Sequence, residues 1–235
     1  MTIDEIIAGL PWDRLTDEIE HRGWTTTGPI LPEDARRELV DGYEQDEAFR
    51  NRVVMARHGF GRGEYRYYAY PLPPIIHRLR ASLYERLVPV ANRWRSALGG
   101  GAEYPPCHAQ YVMQCHSAGQ VRPTPLQLSY GPGDYNCLHQ DLYGDEVFPL
   151  QVAFLLSDPA TDFDGGELVL TEQRPRMQSR VSVVPLRAGE AAIFAVNHRP
   201  VRGTRGTYRV AMRHGVSEVR SGRRRTLGII MHDAS

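Results

Sequence analysis

The pattern of the chain changes at about Pro125. After this point, short apolar runs alternate with Gly, Pro and Asp residues that favour turns. Short strands at such regular spacing are typical of an antiparallel β-sandwich or barrel. The predicted strands are residues 126–130, 148–156, 167–171, 181–184, 191–195, 208–214 and 226–232.

The residues before this point are predicted to be mainly helical. Apolar residues recur at helical spacing near the start of the chain, and a longer apolar stripe runs from Ile75 to about Trp94. Residues 107–118 are expected to form a further helix, and residues 24–27 are short and β-prone. We therefore predict an α+β fold in a single domain, residues 1–235, with a mainly helical part (1–120) and a β-rich core (121–235).

Composition favours a globular, non-membrane protein. Hydrophobic residues make up 41% and charged residues 24% of the chain, and no apolar run is long enough to span a bilayer. The start, Met1 to Glu5, is acidic and lacks the apolar segment of a signal peptide. The three cysteines are odd in number, which favours reduced thiols. We expect a cytoplasmic protein with no membrane association.

The net charge is zero but unevenly distributed. Residues 1–50 hold 13 acidic residues and 5 arginines, whereas residues 173–225 hold 13 arginines and 2 glutamates. The arginines are consistent with a surface that binds phosphate or carboxylate groups. A solvated strand face that packs near the acidic helices is the favoured alternative, because runs of charge are usually solvated.

Two histidines and one carboxylate form a candidate metal site. His139 and Asp141 are two residues apart, so in a strand or at its end their side chains point the same way. His214 lies far along the chain and completes the set. Two histidines and one carboxylate leave coordination positions open on a six-coordinate iron, as oxygen activation requires. A zinc site at Cys107, Cys115 and Cys137 is disfavoured, because no C-x-x-C pair is present.

These residues belong to an ordered series of motifs. The series is H-x-D at 139–141, G-G-E-L at 165–168, P-x-x-x-G-x-x-x-x-F at 185–194, H-G-V at 214–216 and G-x-R-x-T-L at 222–227. As a set it resembles the iron(II)/2-oxoglutarate oxygenases of the prolyl-4-hydroxylase-like and alkylation-repair-like superfamily. The resemblance implies a double-stranded β-helix, or jelly roll, with the N-terminal helices packed on one sheet.

The resemblance also implies roles and cofactors. His139, Asp141 and His214 match the family's iron ligands, and the implied cofactors are Fe(II), O2 and 2-oxoglutarate as a small-molecule co-substrate. Arg224 matches the residue that binds the distal carboxylate of 2-oxoglutarate, a role that suits a guanidinium. Thr226 shares its strand face, and Tyr130 matches a pocket tyrosine that is equally consistent with core packing. The carboxylate at Asp141 favours hydroxylation over halide transfer.

Two assignments depend on details that the motifs leave open. Strand alternation places Arg224 on one face and its neighbours on the other, but a register shift by one residue would turn Arg223 or Arg225 towards the pocket. His198 is a weaker alternative to His214, because it lies outside the G-x-R-x-T context. It is also a candidate for the substrate entrance.

The substrate has two main candidates. The stretch 57–70, the segment 130–144 and the segment 171–177 resemble a bacterial oxygenase family predicted to act on damaged DNA. Stretch 57–70 is rich in Gly, Tyr and Arg, so it is either a lid that stacks on a flat substrate or an ordinary loop. The first candidate is an alkylated nucleobase, which would make nucleic acid a partner. The second is a peptidyl side chain or an anionic small molecule, and a non-enzymatic metal-binding jelly roll is a third, weaker alternative.

Overall fold

A computed structural model describes residues 2–204 and 206–235. Met1, at the acidic start, and Arg205, in the arginine-rich segment, lie outside the described residues. The helices are α1 (Ile3–Ala8), α2 (Trp12–Arg22), α3 (Glu33–Asp41), α4 (Pro74–Ala97) and α5 (His108–Ser117). Short 3-10 helices cover Gly42–Glu44, Asp46–Ala48 and Met55–Arg57.

The strands fall in both parts of the chain. Those before residue 120 are β1 (Trp24–Pro29), β2 (Phe49–Val54), β3 (Gly61–Arg62) and β4 (Glu64–Tyr68). The later ones are β5 (Leu126–Tyr130), β6 (Tyr135–His139), β7 (Leu150–Leu155), β8 (Phe163–Gly165), β9 (Leu168–Gln173), β10 (Arg180–Val184), β11 (Glu190–Ala195), β12 (His198–Gly203), β13 (Gly206–Val216), β14 (Val219–Gly222) and β15 (Arg224–Ile230).

Two antiparallel sheets form the core of the fold. The larger sheet has the order β1-β11-β7-β15-β5-β4-β2. The smaller has the order β10-β9-β13-β6-β3, with β12 paired to β13, and β14 pairs with β8 in a short ribbon. The expected α+β fold with a jelly-roll core is therefore confirmed.

The N-terminal part contributes strands as well as helices. In particular, β4 pairs with β5, so that Tyr65 lies opposite Leu128 and Tyr67 opposite Leu126. Local periodicity does not reveal pairing between such distant segments. For this reason, the sequence of stretch 57–70 does not predict its strands. Because strands from both parts share the same sheets, we propose that residues 1–235 form one domain.

The helices cover one face of the larger sheet. The apolar stripe of α4, including Leu83 and Leu87, packs in one cluster with Phe154, Leu227 and Ile229 of the sheet. The opposite face of these strands points between the two sheets, where alternate residues are free to line a cavity. No helix in the described residues is long and apolar enough to cross a membrane.

Candidate active site

His139, Asp141 and His214 meet between the two sheets. His139 ends β6 and lies directly opposite His214 of β13 in the sheet register, while Asp141 follows β6 by two residues. Nε2 of His214 is 3.2 Å from Oδ2 of Asp141, and Nε2 of His139 is 3.5 Å from Oδ1. One ligand atom from each residue lies within 4.8 Å of the others. The three side chains can therefore converge on a single metal ion.

Neighbouring groups hold two of these side chains in orientation. Nδ1 of His139 donates a hydrogen bond of 2.7 Å to the carbonyl oxygen of Cys137, which leaves Nε2 facing Asp141. The hydroxyl of Tyr143 donates to Oδ1 of Asp141. Metal-binding histidines and carboxylates usually have partners of this kind, which fix the tautomer and the direction of the lone pairs. These hydrogen bonds hold His139 and Asp141 in orientations that suit metal ligands.

The electrostatics of the three residues are coupled. Burial raises the pKa of the Asp141 carboxyl, but hydrogen bonds and charge from His139 and His214 outweigh burial and hold this pKa well below its usual range. Burial and then the proximity of His139 lower the pKa of His214. Burial also opposes charge on His139, yet the hydrogen bond and charge of Asp141 raise its pKa overall. An ionised carboxylate beside a neutral His214 is the donor set that a divalent cation requires.

Arg224 lies buried in the same cavity and forms no ion pair with any of the described residues. Arg224 is only 3% exposed, and neither its Nε nor its Nη1 has a hydrogen-bond partner among the described residues. Burial lowers the pKa of the guanidinium to about 10. A buried charge without a partner is costly, so this arrangement favours binding of an anion. A carboxylate matches the guanidinium in shape and charge.

The G-G-E-L motif helps to hold Arg224. Gly166 has a φ of 61°, and a Cβ atom at this position would lie 2.7 Å from Cδ of Arg224. Only glycine combines this conformation with such a close approach. The motif therefore allows the stem of Arg224 to pass directly against the backbone.

The neighbours of Arg224 point the other way. Nη1 of Arg223 donates to Oγ of Ser129 at 3.4 Å, and the guanidinium of Arg225 lies 4.1 Å from the centre of the Tyr43 ring. In the structure, the register of β15 therefore turns Arg224 alone of the three into the cavity. The role of Arg224 in binding a co-substrate remains a prediction.

Tyr130 and Thr226 also line the cavity. Tyr130 is fully buried, its ring centre is 5.6 Å from the Arg224 guanidinium carbon, and its hydroxyl accepts a hydrogen bond from Asn136 at 3.4 Å. Thr226 is 5% exposed and follows Arg224 on the same face of β15. Both residues are therefore placed where they could contact an anion bound by Arg224.

The cavity has a volume of about 350 Å³ and contains residues that motif reasoning missed. Tyr143 was missed although it stands two residues after Asp141. The remaining residues, which are named below, lie on strands whose alternate side chains face the cavity. This alternation identifies cavity residues only when the order of the strands in the sheet is known. These cavity-lining residues are Tyr65, Tyr67, Asn136, Tyr143 and Gln151.

An aromatic pair stands at the cavity entrance. Phe60 lines the cavity yet is 47% exposed, and its ring stacks on His58 with centres 5.3 Å apart and planes 23° apart. The carbonyl of Phe60 accepts a backbone hydrogen bond from Cys137, which ties this segment to the strand that carries His139. Stretch 57–70 is thus partly built into both sheets through β3 and β4, and it is not a single loop.

Other sequence candidates lie away from this centre. His198 is on β12 opposite Ala211 and lines a separate surface pocket with Asn197 and Arg209. Cys115 is buried in the core, and His108, next to Cys107, bonds the carbonyl of Met231. His198 therefore lies outside both the ligand cluster and the cavity entrance.

Five arginines of the arginine-rich segment form ion pairs with described residues. Nη2 of Arg199 is 2.6 Å from Glu172, which also binds Arg174 and Arg180. Arg225 approaches Glu44, and Arg220 binds Asp164. Glu172 lies on β9 and Asp164 on β8, whereas Glu44 belongs to the N-terminal part, so these pairs form mainly between neighbouring strands.

Comparison with known proteins identifies relatives. Residues 63–234 match the model of the Oxygenase-NA family, described as an oxygenase catalysing oxidative methylation of damaged DNA. The uncharacterized proteins MT2286 and Rv2227 from two strains of Mycobacterium tuberculosis are each 49% identical to the chain over 165 residues. That alignment covers 70% of this chain and 71% of each relative.

Solved structures share the fold at low identity. A Pseudomonas putida prolyl-4-hydroxylase superposes with a TM-score of 0.56 at 15% identity, covering 95% of this chain and 100% of that one. An oxidoreductase of the 2OG-Fe(II) oxygenase family from Burkholderia pseudomallei gives a TM-score of 0.52 at 15% identity, covering 95% and 92%. A Trichoplax adhaerens prolyl hydroxylase gives 0.56 at 13% identity, covering 96% and 90%. At such identity the likeness establishes the fold alone.

Proposed function

The chain belongs to the Oxygenase-NA family of oxygenases and has the fold of the 2OG-Fe(II) oxygenases, and we propose that it oxidises an alkylated nucleobase of damaged DNA. The family, the fold and the His–Asp–His site agree on Fe(II), 2-oxoglutarate and O2 as cofactors. The proposed reaction is hydroxylation or oxidative dealkylation, with succinate and CO2 as co-products. We also propose a cytoplasmic location, in keeping with the three free thiols.

The proposed roles follow from the geometry. His139, Asp141 and His214 would hold the iron, and a set of three protein ligands would leave further coordination positions for the co-substrate and O2. Arg224, with Thr226 and Tyr130 beside it, would bind the distal carboxylate of 2-oxoglutarate. Iron, co-substrate and O2 together supply the oxidising power for a C–H bond.

The observation that best supports an oxygenase is that Arg224, which forms no ion pair with a described residue, lies in the same cavity as the His–Asp–His cluster. A protein that only bound a metal would have no use for a buried guanidinium with open donors beside the metal site. The same cavity therefore offers one subsite for a metal and one for a carboxylate. This combination supports an oxygenase over a metal-binding jelly roll.

The observation that favours a nucleobase is the exposed ring of Phe60, stacked on His58 at the entrance. Enzymes that act on a base take it out of the stack and hold its face against aromatic side chains. Stacking on an aromatic ring contributes about 1–3 kcal/mol per base. A flat ring that enters the cavity beside Phe60 would reach the metal subsite.

The test compares substrates in the same assay. Succinate formation is measured with single-stranded oligonucleotides that carry methylated bases, with unmodified oligonucleotides, and with proline-containing peptides. We expect the methylated oligonucleotides alone to accelerate turnover and to lose their methyl group or gain an oxygen in the mass spectrum. Acceleration by the peptides or by small carboxylates would instead support hydroxylation of a peptidyl side chain or an anionic small molecule.

A variant at the entrance sharpens the test. Phe60→Ala should remove the acceleration by methylated oligonucleotides while leaving succinate formation without substrate intact. Met113→Ala is the matched control, because Met113 is 69% exposed on α5 and does not line the cavity. Equal responses of the two variants would contradict a stacking role for Phe60.

A further inference from the structure

Gln151 is a polar residue in an otherwise apolar strand. It lies on β7, between Leu150 and Val152, which belong to the core beneath the helices. Alternation turns Gln151 and Ala153 to the opposite face, and both line the cavity. Gln151 is only 6% exposed. Because a buried amide costs free energy unless it is hydrogen-bonded, its partners indicate what it does there.

The amide of Gln151 contacts a predicted metal ligand. Its Nε2 lies 3.1 Å from Nε2 of His214, and its Oε1 has no hydrogen-bond partner in residues 2–204 and 206–235. The same nitrogen of His214 is 3.2 Å from Oδ2 of Asp141. The amide therefore lies beside the atoms that would surround the metal.

Metal binding removes the contact that Gln151 makes in this structure. When Nε2 of His214 gives its lone pair to a metal, it has neither a proton nor a free pair for the amide. The N–H groups of Gln151 would then be buried without a partner among the described residues, beside the atoms that would hold the metal. A carboxylate oxygen of the co-substrate held beside the metal would be an acceptor for these N–H groups.

We propose that Gln151 is a positioning residue that donates a hydrogen bond to the metal-bound carboxylate of 2-oxoglutarate. The inference rests on the proposed function of this site. Arg224 would hold the distal carboxylate and Gln151 the carboxylate at the metal, so that the co-substrate is fixed at both ends. An amide suits this place because it donates without adding a second negative charge beside Asp141.

The experiment measures co-substrate binding without turnover. Under anaerobic conditions, the visible charge-transfer absorption of the Fe(II)–2-oxoglutarate complex is titrated for wild type, Gln151→Leu and Gln151→Glu. Affinity for Mn(II) alone is measured in parallel by calorimetry. The matched control is Gln127→Leu, because Gln127 is also a buried glutamine but bonds Tyr68 and the carbonyl of Leu39 on the far face of the sheet.

We expect Gln151→Leu to weaken 2-oxoglutarate binding about 10-fold or more, the size expected for a hydrogen bond to a charged group. The absorption maximum should move, and Mn(II) affinity should stay within about threefold of wild type. Gln151→Glu should weaken co-substrate binding further, because its carboxylate repels that of the co-substrate. Gln127→Leu should leave both the co-substrate affinity and the absorption maximum unchanged.

Two results would overturn the inference in distinguishable ways. Unchanged co-substrate affinity and absorption in both Gln151 variants would remove the role of Gln151 and leave the proposed function standing. A wild-type protein that binds Mn(II) but not 2-oxoglutarate would overturn the proposed function and the inference together. Loss of Mn(II) binding in Gln151→Leu, with Gln127→Leu normal, would show that Gln151 shapes the metal site and does not position the co-substrate.

Discussion

The hydroxyl of Tyr143 donates a hydrogen bond of 2.7 Å to Oδ1 of Asp141. The hydroxyl of Tyr67 in turn donates to Tyr143 at 3.1 Å, so β4 supports a residue that follows β6. Oδ1 is thereby occupied, while Oδ2 lies towards His214. Through Tyr67 and Tyr143, the N-terminal strand β4 therefore supports Asp141 in the candidate metal site.

Removal of the Tyr143 hydroxyl should weaken metal binding. Tyr143→Phe keeps the ring but leaves Oδ1 of Asp141 without this donor, and loss of such outer partners typically costs about 10–100-fold in metal affinity. Calorimetric titration with Mn(II) measures the change. Tyr84→Phe is the control, since its hydroxyl bonds the carbonyl of Pro105 in the core. Equal Mn(II) affinity in wild type and Tyr143→Phe would contradict the role of this hydrogen bond.

Arg224 and Arg225 should differ sharply in co-substrate binding. Arg224→Gln removes the buried charge in the cavity and should weaken 2-oxoglutarate binding to the metal-loaded protein by about 100-fold, as expected for a two-point charged contact. Arg225→Gln, which faces Tyr43 and Glu44, should stay within about threefold of wild type. If Arg225→Gln shows the larger loss, the register of β15 in this account is wrong.

Metal affinity should decrease as the pH is lowered, and the decrease should begin above pH 6.5. Protonated His139 cannot bind a metal, and its pKa is raised from 6.5 because the hydrogen bond and charge of Asp141 outweigh burial. Above this raised pKa the ligand is free and affinity is constant. Below it the metal must displace one proton, so affinity should fall about tenfold per pH unit. Mn(II) titrations from about pH 8 downward test this, and an affinity that stays constant to pH 6.5 would contradict it.

A buried ion pair outside the site should control stability. Asp233 is fully buried and binds Arg80 at 2.7 Å, Tyr70 at 2.8 Å and His116 at 2.9 Å. Asp233→Asn leaves Arg80 buried without its counterion and should lower the free energy of unfolding by about 3–5 kcal/mol. Glu33→Gln, in an exposed pair with Arg37, should change it by less than about 1 kcal/mol. Urea denaturation of both variants measures the difference.

Much of the site was visible in the sequence because its spacing reflects strand geometry. The i, i+2 spacing of His139 and Asp141 and the alternation around Arg224 follow from the period of two in a strand. The β-rich core followed from the short apolar runs after Pro125, whereas the jelly-roll form and the roles of His214 and Arg224 were implied by the resemblance of the ordered motifs. The strand spacing and the apolar runs depend on local structure, which can be inferred from a single sequence.

The missed parts depend on pairing between distant strands. Tyr65 and Tyr67 reach the cavity only because β4 joins β5, and no local pattern encodes that partner. Gln151 lies within an apolar run of the sequence, and the run does not indicate that its side chain lines the cavity. Strand β12 was missed because Pro200 is unfavourable in most strands but tolerated here, where β12 pairs only with β13 in the described sheets.

The most direct test of the central claim is anaerobic reconstitution with Fe(II), followed by exposure to O2 and measurement of succinate formed from 2-oxoglutarate. Wild type should form succinate slowly even without a primary substrate. His139→Ala should form none, and Arg224→Gln should approach the wild-type rate only at high 2-oxoglutarate. No succinate from wild type, together with no Fe(II)-dependent binding of 2-oxoglutarate, would contradict the assignment of this cavity as an iron(II)/2-oxoglutarate oxygenase site.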